Sequence, residues 1–160
     1  MFFVFAFWCA TANVLTLHPT EERSSVTEPR LDSHRRLDSA SQFVASQMTV
    51  MGIQETRLSV ARAVGIGQYL IYAATANTRG QGGVELWILS SWVPKPREVL
   101  VLVASHRLLI VRVPMLMGIV QFVVAHALDT SYPPEKVQEW WNGLRSTLSS
   151  VLIPSCHTIW

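Results

Sequence analysis

Between Glu98 and Ala125 the chain carries three runs of branched apolar residues, Glu98 to Ala104, Leu108 to Val113 and Ile119 to Ala125, parted by short breaks. The runs are continuous rather than alternating. A strand with one wet face alternates apolar and polar side chains, so continuous runs imply strands covered on both faces. An α/β architecture with layers on either side of a sheet supplies that cover. The same stretch is too broken to cross a membrane as a helix: His106, Arg107, Arg112, Pro114, Gln121 and His126 interrupt it, and no run of about 18 apolar residues survives. No membrane partner is expected.

Composition agrees with a chain built around buried surface. It is 49% apolar and 15% charged, where a soluble domain has about 25% charged residues. The net charge of +2 is too small, and the basic residues too scattered, to announce a nucleic-acid partner or to exclude one. The length of 160 residues suits one domain over 1–160. Cys9 and Cys156 form neither a disulfide framework nor a zinc-ligand spacing, which favours an intracellular, reducing setting. Met1 to Leu17 carries no charge, and Ala10-Thr11-Ala12 mimics a signal-peptidase site, but a basic leader is lacking. A small secreted protein that loses its first twelve residues is therefore an alternative reading only.

Phe2 to Leu17 reads as a buried strand ending at His18-Pro19. The segment 18–41 is charged and nearly free of large apolar residues, so it reads as a polar loop, with a helix starting near Asp38 and running to Met48. Val50 to Ile53 is a short apolar strand. Gln68 to Ala76 and Val84 to Leu89 form a hairpin about the glycine-rich Asn77 to Gly83. Pro133-Pro134-Glu135 opens a helix whose Val137, Trp140, Trp141, Leu144, Leu148 and Val151 recur at helical spacing.

Three polar positions sit in or at the end of apolar strands: Asn13, Glu55 in Gly52-Ile53-Gln54-Glu55-Thr56-Arg57, and His126 after Phe122-Val123-Val124-Ala125. Strand ends are where α/β sheets present functional side chains. Each residue also has a plain structural reading. Asn13 can be a hydrogen-bonded core amide, Glu55 a loop carboxylate paired with Arg57, and His126 a satisfied histidine. Trp140 and Trp141 serve as core anchors, and Arg57, Arg62 and Arg79 as surface charges or phosphate contacts.

Taken in order, Asn13, the Gln54-Glu55-Thr56 strand end, the Gly82-Gly83-Val84 strand and the His126-Ala127 strand end resemble the deoxyribonuclease I-like (endonuclease/exonuclease/phosphatase) superfamily, closest to retrotransposon-associated endonuclease domains. The resemblance covers roughly residues 8 to 150 and implies a two-sheet, four-layer α/β sandwich, here incomplete. It also implies a metal-dependent phosphodiesterase acting on nucleic acid. Glu55 would then be the ligand for Mg²⁺ or Mn²⁺, Asn13 an adjacent active-site amide, and His126 a catalytic group at the scissile phosphate. The family continues with Gly-Asp-x-Asn and Ser-Asp-His motifs and usually has proline after His-Ala. Here Leu128 follows Ala127, and the only acids after His126 are Asp129, Glu135 and Glu139. The expectation is an N-terminal half domain that is inactive by itself, with a sheet face left uncovered and prone to self-association. A non-catalytic remnant or interaction module is the alternative.

Overall fold

In the computed structural model of the chain, residues 9–13, 33–116, 118–151 and 157–159 are described. The flanks of the expected first strand, most of the leader-like stretch, residues 18–32 of the polar segment and Cys156 lie outside them. Strand β1 (Cys9–Asn13) is followed by helix α1 (Ser33–Ala45), β2 (Val50–Gln54), β3 (Arg62–Ile66), β4 (Tyr69–Ala73) and β5 (Val84–Leu89). Two single-turn 3-10 helices then lead into β6 (Leu100–Ser105), β7 (Leu108–Met115), β8 (Gly118–Ala125), helix α2 (Pro134–Val151) and β9 (His157–Ile159).

The strands make two sheets, in the orders β1-β2-β5-β4-β3 and β6-β7-β8-β9. Each is mixed: β1 runs parallel to β2 and β9 parallel to β8, and the other pairs are antiparallel. Side chains of successive strand residues point to opposite faces, and both faces are used. Val50, Leu86 and Ile88 of the first sheet meet Leu109, Val111 and Phe122 of the second in a core between the sheets. The opposite face of the first sheet, with Met51, Ile53, Ile71 and Trp87, is covered by Ala40, Phe43 and Val44 of α1. The opposite face of the second, with Ile110 and Val123, is covered by Trp140, Leu144 and Leu148 of α2. The order helix, sheet, sheet, helix is the four-layer sandwich expected.

Three expectations need correction. Helix α1 begins at Ser33, not near Asp38, so residues 33–41 are helix rather than loop. Its charged residues concealed this, because one of them faces inward: Arg36 is buried and donates to the Glu85 carboxylate of β5. The helix ends with Gln47 at φ 56°, Gln47 N–H donating to Val44 O and Met48 N–H to Phe43 O, a Schellman stop made without glycine. Strand β3 was unforeseen because it is a largely exposed edge strand with no apolar run. The third correction concerns cover. Strands β7 and β8 are buried on both faces over most of their length, but the edge strand β6 leaves Leu100 and Val101 about half exposed, at 52% and 49%. The outer face of the second sheet is not left bare, since α2 lies on it.

Candidate active site

Parallel pairing of β1 with β2 sets Asn13 opposite Gln54, so both strands finish at the same end of the first sheet. Strand β8 of the second sheet finishes at that end too: the Gln54 side-chain amide donates across the sandwich to Ala125 O at 3.0 Å. Glu55 and His126 are the next residues along β2 and β8. The three positions picked from the sequence are thereby gathered, although 42 and 71 residues separate them in turn.

Glu55 and Arg57 both adopt left-handed backbone conformations, at φ 58° and 53°, which non-glycine residues hold at a cost of about 1–3 kcal/mol each. Hydrogen bonds hold the turn. Thr56 N–H donates to Gly83 O at 3.1 Å and Arg57 N–H to Gly82 O at 2.9 Å. Gly83 N–H in turn donates to His106 O at 2.7 Å, in the turn between β6 and β7. No side chain fits at this junction: a Cβ on Gly82 would stand 2.5 Å from His106 O, and one on Gly83 2.6 Å from the buried Thr56 Oγ1. The Gly82-Gly83 pair thus welds the Glu55 turn to the β6–β7 turn.

The β6–β7 turn then holds His126. His126 N–H donates to Arg107 O at 2.8 Å, and Arg107 Nη1 donates back to His126 O and Ala127 O at 3.3 and 3.1 Å. The Arg107 guanidinium also stands 5.8 Å over the Tyr132 ring. His106 and Arg107 were read only as breaks in an apolar run; nothing local in the sequence marks them, because their part is set by pairing across sheets.

Among these groups the Glu55 carboxylate has two cationic or potentially cationic neighbours, Arg57 Nε at 3.4 Å and His126 Nδ1 at 3.1 Å. The His126 contact lacks hydrogen-bond geometry, so Nδ1 is buried without a partner. Burial lowers the His126 pKa below the ordinary imidazole value; Glu55 opposes this, Arg107 reinforces it, and Asp129 and His106 act in smaller measure. His106 is lowered as well, first by burial and then by Arg107. Both imidazoles are therefore neutral near neutral pH, and the contact to Glu55 is a polar juxtaposition more than an ion pair.

Mg²⁺ takes oxygen ligands, keeps several waters, and is commonly held by one or two carboxylates plus substrate phosphate. Glu55, with 17% of its side chain exposed, fits as one such ligand. Among the described residues no group of three or more His, Cys, Asp or Glu could hold a metal by protein ligands alone. Beside the site a cavity of about 530 Å³ is lined by Arg57, Ser59, Thr75, Asn77 and Arg79, cations and small polar groups with no carboxylate among them.

The fold is similar to that of the endonuclease domain of TRAS1, a telomere-specific non-LTR retrotransposon, with TM-score 0.54 and 10% identity over 92% of this chain and 54% of that one. It is similar also to an AP endonuclease from Archaeoglobus fulgidus, with TM-score 0.52 and 14% identity over 92% of this chain and 53% of that one. At such identities the likeness is one of fold. The chain spans about half the length of these solved structures. No protein-family model matches the sequence, and neither does any curated protein.

Proposed function

We propose that this chain, which has the deoxyribonuclease I-like fold, carries part of the active site of a divalent-metal-dependent phosphodiesterase acting on nucleic acid. The observation that supports the reading most is the convergence just described, with Glu55 Oε1 3.1 Å from His126 Nδ1 at the strand end shared with Asn13. Glu55 is the metal ligand, Asn13 a neighbouring amide, and His126 the group that meets a phosphate oxygen. Bound Mg²⁺ or Mn²⁺ would supply charge neutralisation at the phosphate. The neutral His126 ring can donate or accept a proton through hydrogen bonding, and the fixed backbone around it costs no reorganisation as charge develops. Arg57 and Arg79 suit the phosphates of the flanking backbone, which position a strand without reading its sequence.

The site is proposed to be incomplete in these 160 residues. After His126 neither Gly-Asp-x-Asn nor Ser-Asp-His occurs. A positioned base is worth about 10²–10⁴ in rate, and a chain without one should cleave poorly. The test is Mn²⁺ binding and plasmid nicking by the purified chain and by Glu55→Ala. Weak Mn²⁺ binding lost in the variant, with feeble or no nicking, supports the reading. Mn²⁺ binding unchanged in Glu55→Ala overturns the assignment of Glu55. Strong nicking abolished by Glu55→Ala overturns the incompleteness. A non-catalytic nucleic-acid module would bind DNA equally well with and without Mn²⁺ and in both proteins.

A further inference from the structure

A second groove of about 620 Å³ opens between the β6–β7 turn and helix α2. Its apolar floor is Leu108, Leu128, Trp140 and Leu144, and its volume lies within the roughly 300–1,000 Å³ of small-ligand sites. Two cations, Arg107 and Lys136, line its rim beside the neutral His106, and no acidic residue does. Lys136 is paired with Glu139 at 2.9 Å, but both side chains are well exposed, at 64% and 72%. Such a pair holds weakly and releases its lysine readily. Arg107, which lines the groove, spends one nitrogen on the carbonyls of His126 and Ala127, so one side chain borders both the groove and the candidate active site. Trp140 is braced edge-on by Trp141, with ring centroids 4.7 Å apart at 83°.

Gly143 lines the groove without a side chain. It sits in the middle of α2, where glycine costs a helix about 1 kcal/mol relative to alanine. No close packing demands it, since a Cβ there meets nothing within 4 Å. A planar apolar body fits the floor, and an anion fits the rim. Nucleotides combine the two.

We propose that this groove takes an unpaired nucleotide of the strand next to the scissile phosphate, its base against Trp140 and Leu128 and its phosphate toward Lys136. The inference rests on the nucleic-acid reading above and adds to it a preference for single-stranded or locally unpaired substrate. A base in a duplex is stacked and cannot enter. Contact between a base and an aromatic platform is worth about 1–3 kcal/mol, roughly a five- to 150-fold effect on affinity.

The test is fluorescence anisotropy of the full chain with a short single-stranded DNA oligomer, end-labelled with fluorescein, and with the blunt-ended duplex of the same sequence. Two variants report on the groove. Gly143→Leu fills it from a helix position where leucine is the better residue, so the fold should be kept or strengthened, and thermal unfolding checks this. Lys136→Glu reverses the rim charge. The expected result is a loss of about tenfold or more in single-strand affinity for Gly143→Leu, a smaller loss for Lys136→Glu, and duplex binding nearly unchanged in both. Unchanged single-strand affinity in a folded Gly143→Leu overturns the proposal, as does an equal loss for oligomer and duplex. Mn²⁺ binding at Glu55 separates the two readings. Mn²⁺ lost in Glu55→Ala while Gly143→Leu binds normally sinks the groove alone. Mn²⁺ indifferent to Glu55→Ala while Gly143→Leu loses the oligomer keeps the groove and sinks the metal site.

Discussion

At the scale of single residues, two glycines and two histidines govern the site. Gly82 (φ 75°) and Gly80 (φ 73°) share a left-handed backbone, but a Cβ on Gly80 meets nothing within 4 Å, whereas one on Gly82 meets His106 O at 2.5 Å. Gly80→Ala should therefore cost only the conformational term, about 1 kcal/mol. Gly82→Ala must also push the β6–β7 turn away, for a total of about 2–4 kcal/mol. Urea unfolding of the two variants measures the difference, and equal losses would mean that the weld between the turns is not rigid. The histidines set a pH dependence. Both His106 and His126 are held below the ordinary value of 6.5 when folded. The unfolded chain then binds protons first as the pH falls through 6.5. Stability is full above that value and declines through the window from 6.5 down to the lower folded values. A His126→Gln variant should show a flatter stability profile across that window; an identical slope would assign the effect elsewhere.

Among the elements, strands announced themselves better than the helix that covers them. The hairpin β4–β5, strands β2, β7 and β8, and helix α2 follow from apolar runs, a glycine-rich turn and helical spacing, all local signals. Helix α1 was half-hidden, because Arg36 on its inner face looks like solvated charge until Glu85 is brought opposite it from 49 positions away. The candidate site divides in the same way. Glu55 and His126 are visible as polar residues at strand ends, but the roles of Gly82, His106 and Arg107 arise from contacts between strands distant in sequence. The Arg36–Glu85 pair makes its own prediction. Glu85 accepts from Arg36 and from the Trp87 indole N–H, the latter at 2.7 Å, in a fully buried setting. Burial pushes its carboxyl up to about 7, against the pull of the Trp87 bond and of Arg62. Removing one partner of a buried pair leaves the other uncompensated, so Glu85→Ala should destabilise by about 3–5 kcal/mol. Glu85→Gln keeps one acceptor oxygen, enough for Arg36 or for Trp87 but not for both, since they reach different oxygens of the carboxylate, and should lose less than Glu85→Ala. Urea midpoints compare them, and equal losses would rule out hydrogen bonding as what holds α1 here.

Across the whole molecule, the candidate site and a patch of exposed aliphatic residues lie at opposite ends of the second sheet. Strands β6 and β7 and strands β7 and β8 pair antiparallel, so Ser105, Leu108 and Ala125 come together at the candidate-site end. Leu100, Met115 and Gly118 mark the other end. There Leu100, Val101, Leu116 and Ile119 are exposed by 52%, 49%, 76% and 48%. Strand β6 is an edge of its sheet, and an edge with unpaired backbone groups beside apolar side chains is a template for pairing with another chain. Self-association through this end is expected to grow with concentration, and it would leave Glu55 and His126 accessible, because they lie at the opposite end. Leu116 is the most exposed of the set, so Leu116→Glu should cost little folding stability while placing like charges face to face in any symmetric pair. Light scattering coupled to size exclusion should find wild type shifting toward dimer as it is concentrated and the variant remaining monomeric. DNA and Mn²⁺ binding should be equal in the two proteins. A wild type that stays monomeric at every concentration would show that these residues are too few, or too scattered, to hold two copies together. Loss of DNA binding in Leu116→Glu would instead place part of the nucleic-acid surface at the end of the sheet assigned here to self-association.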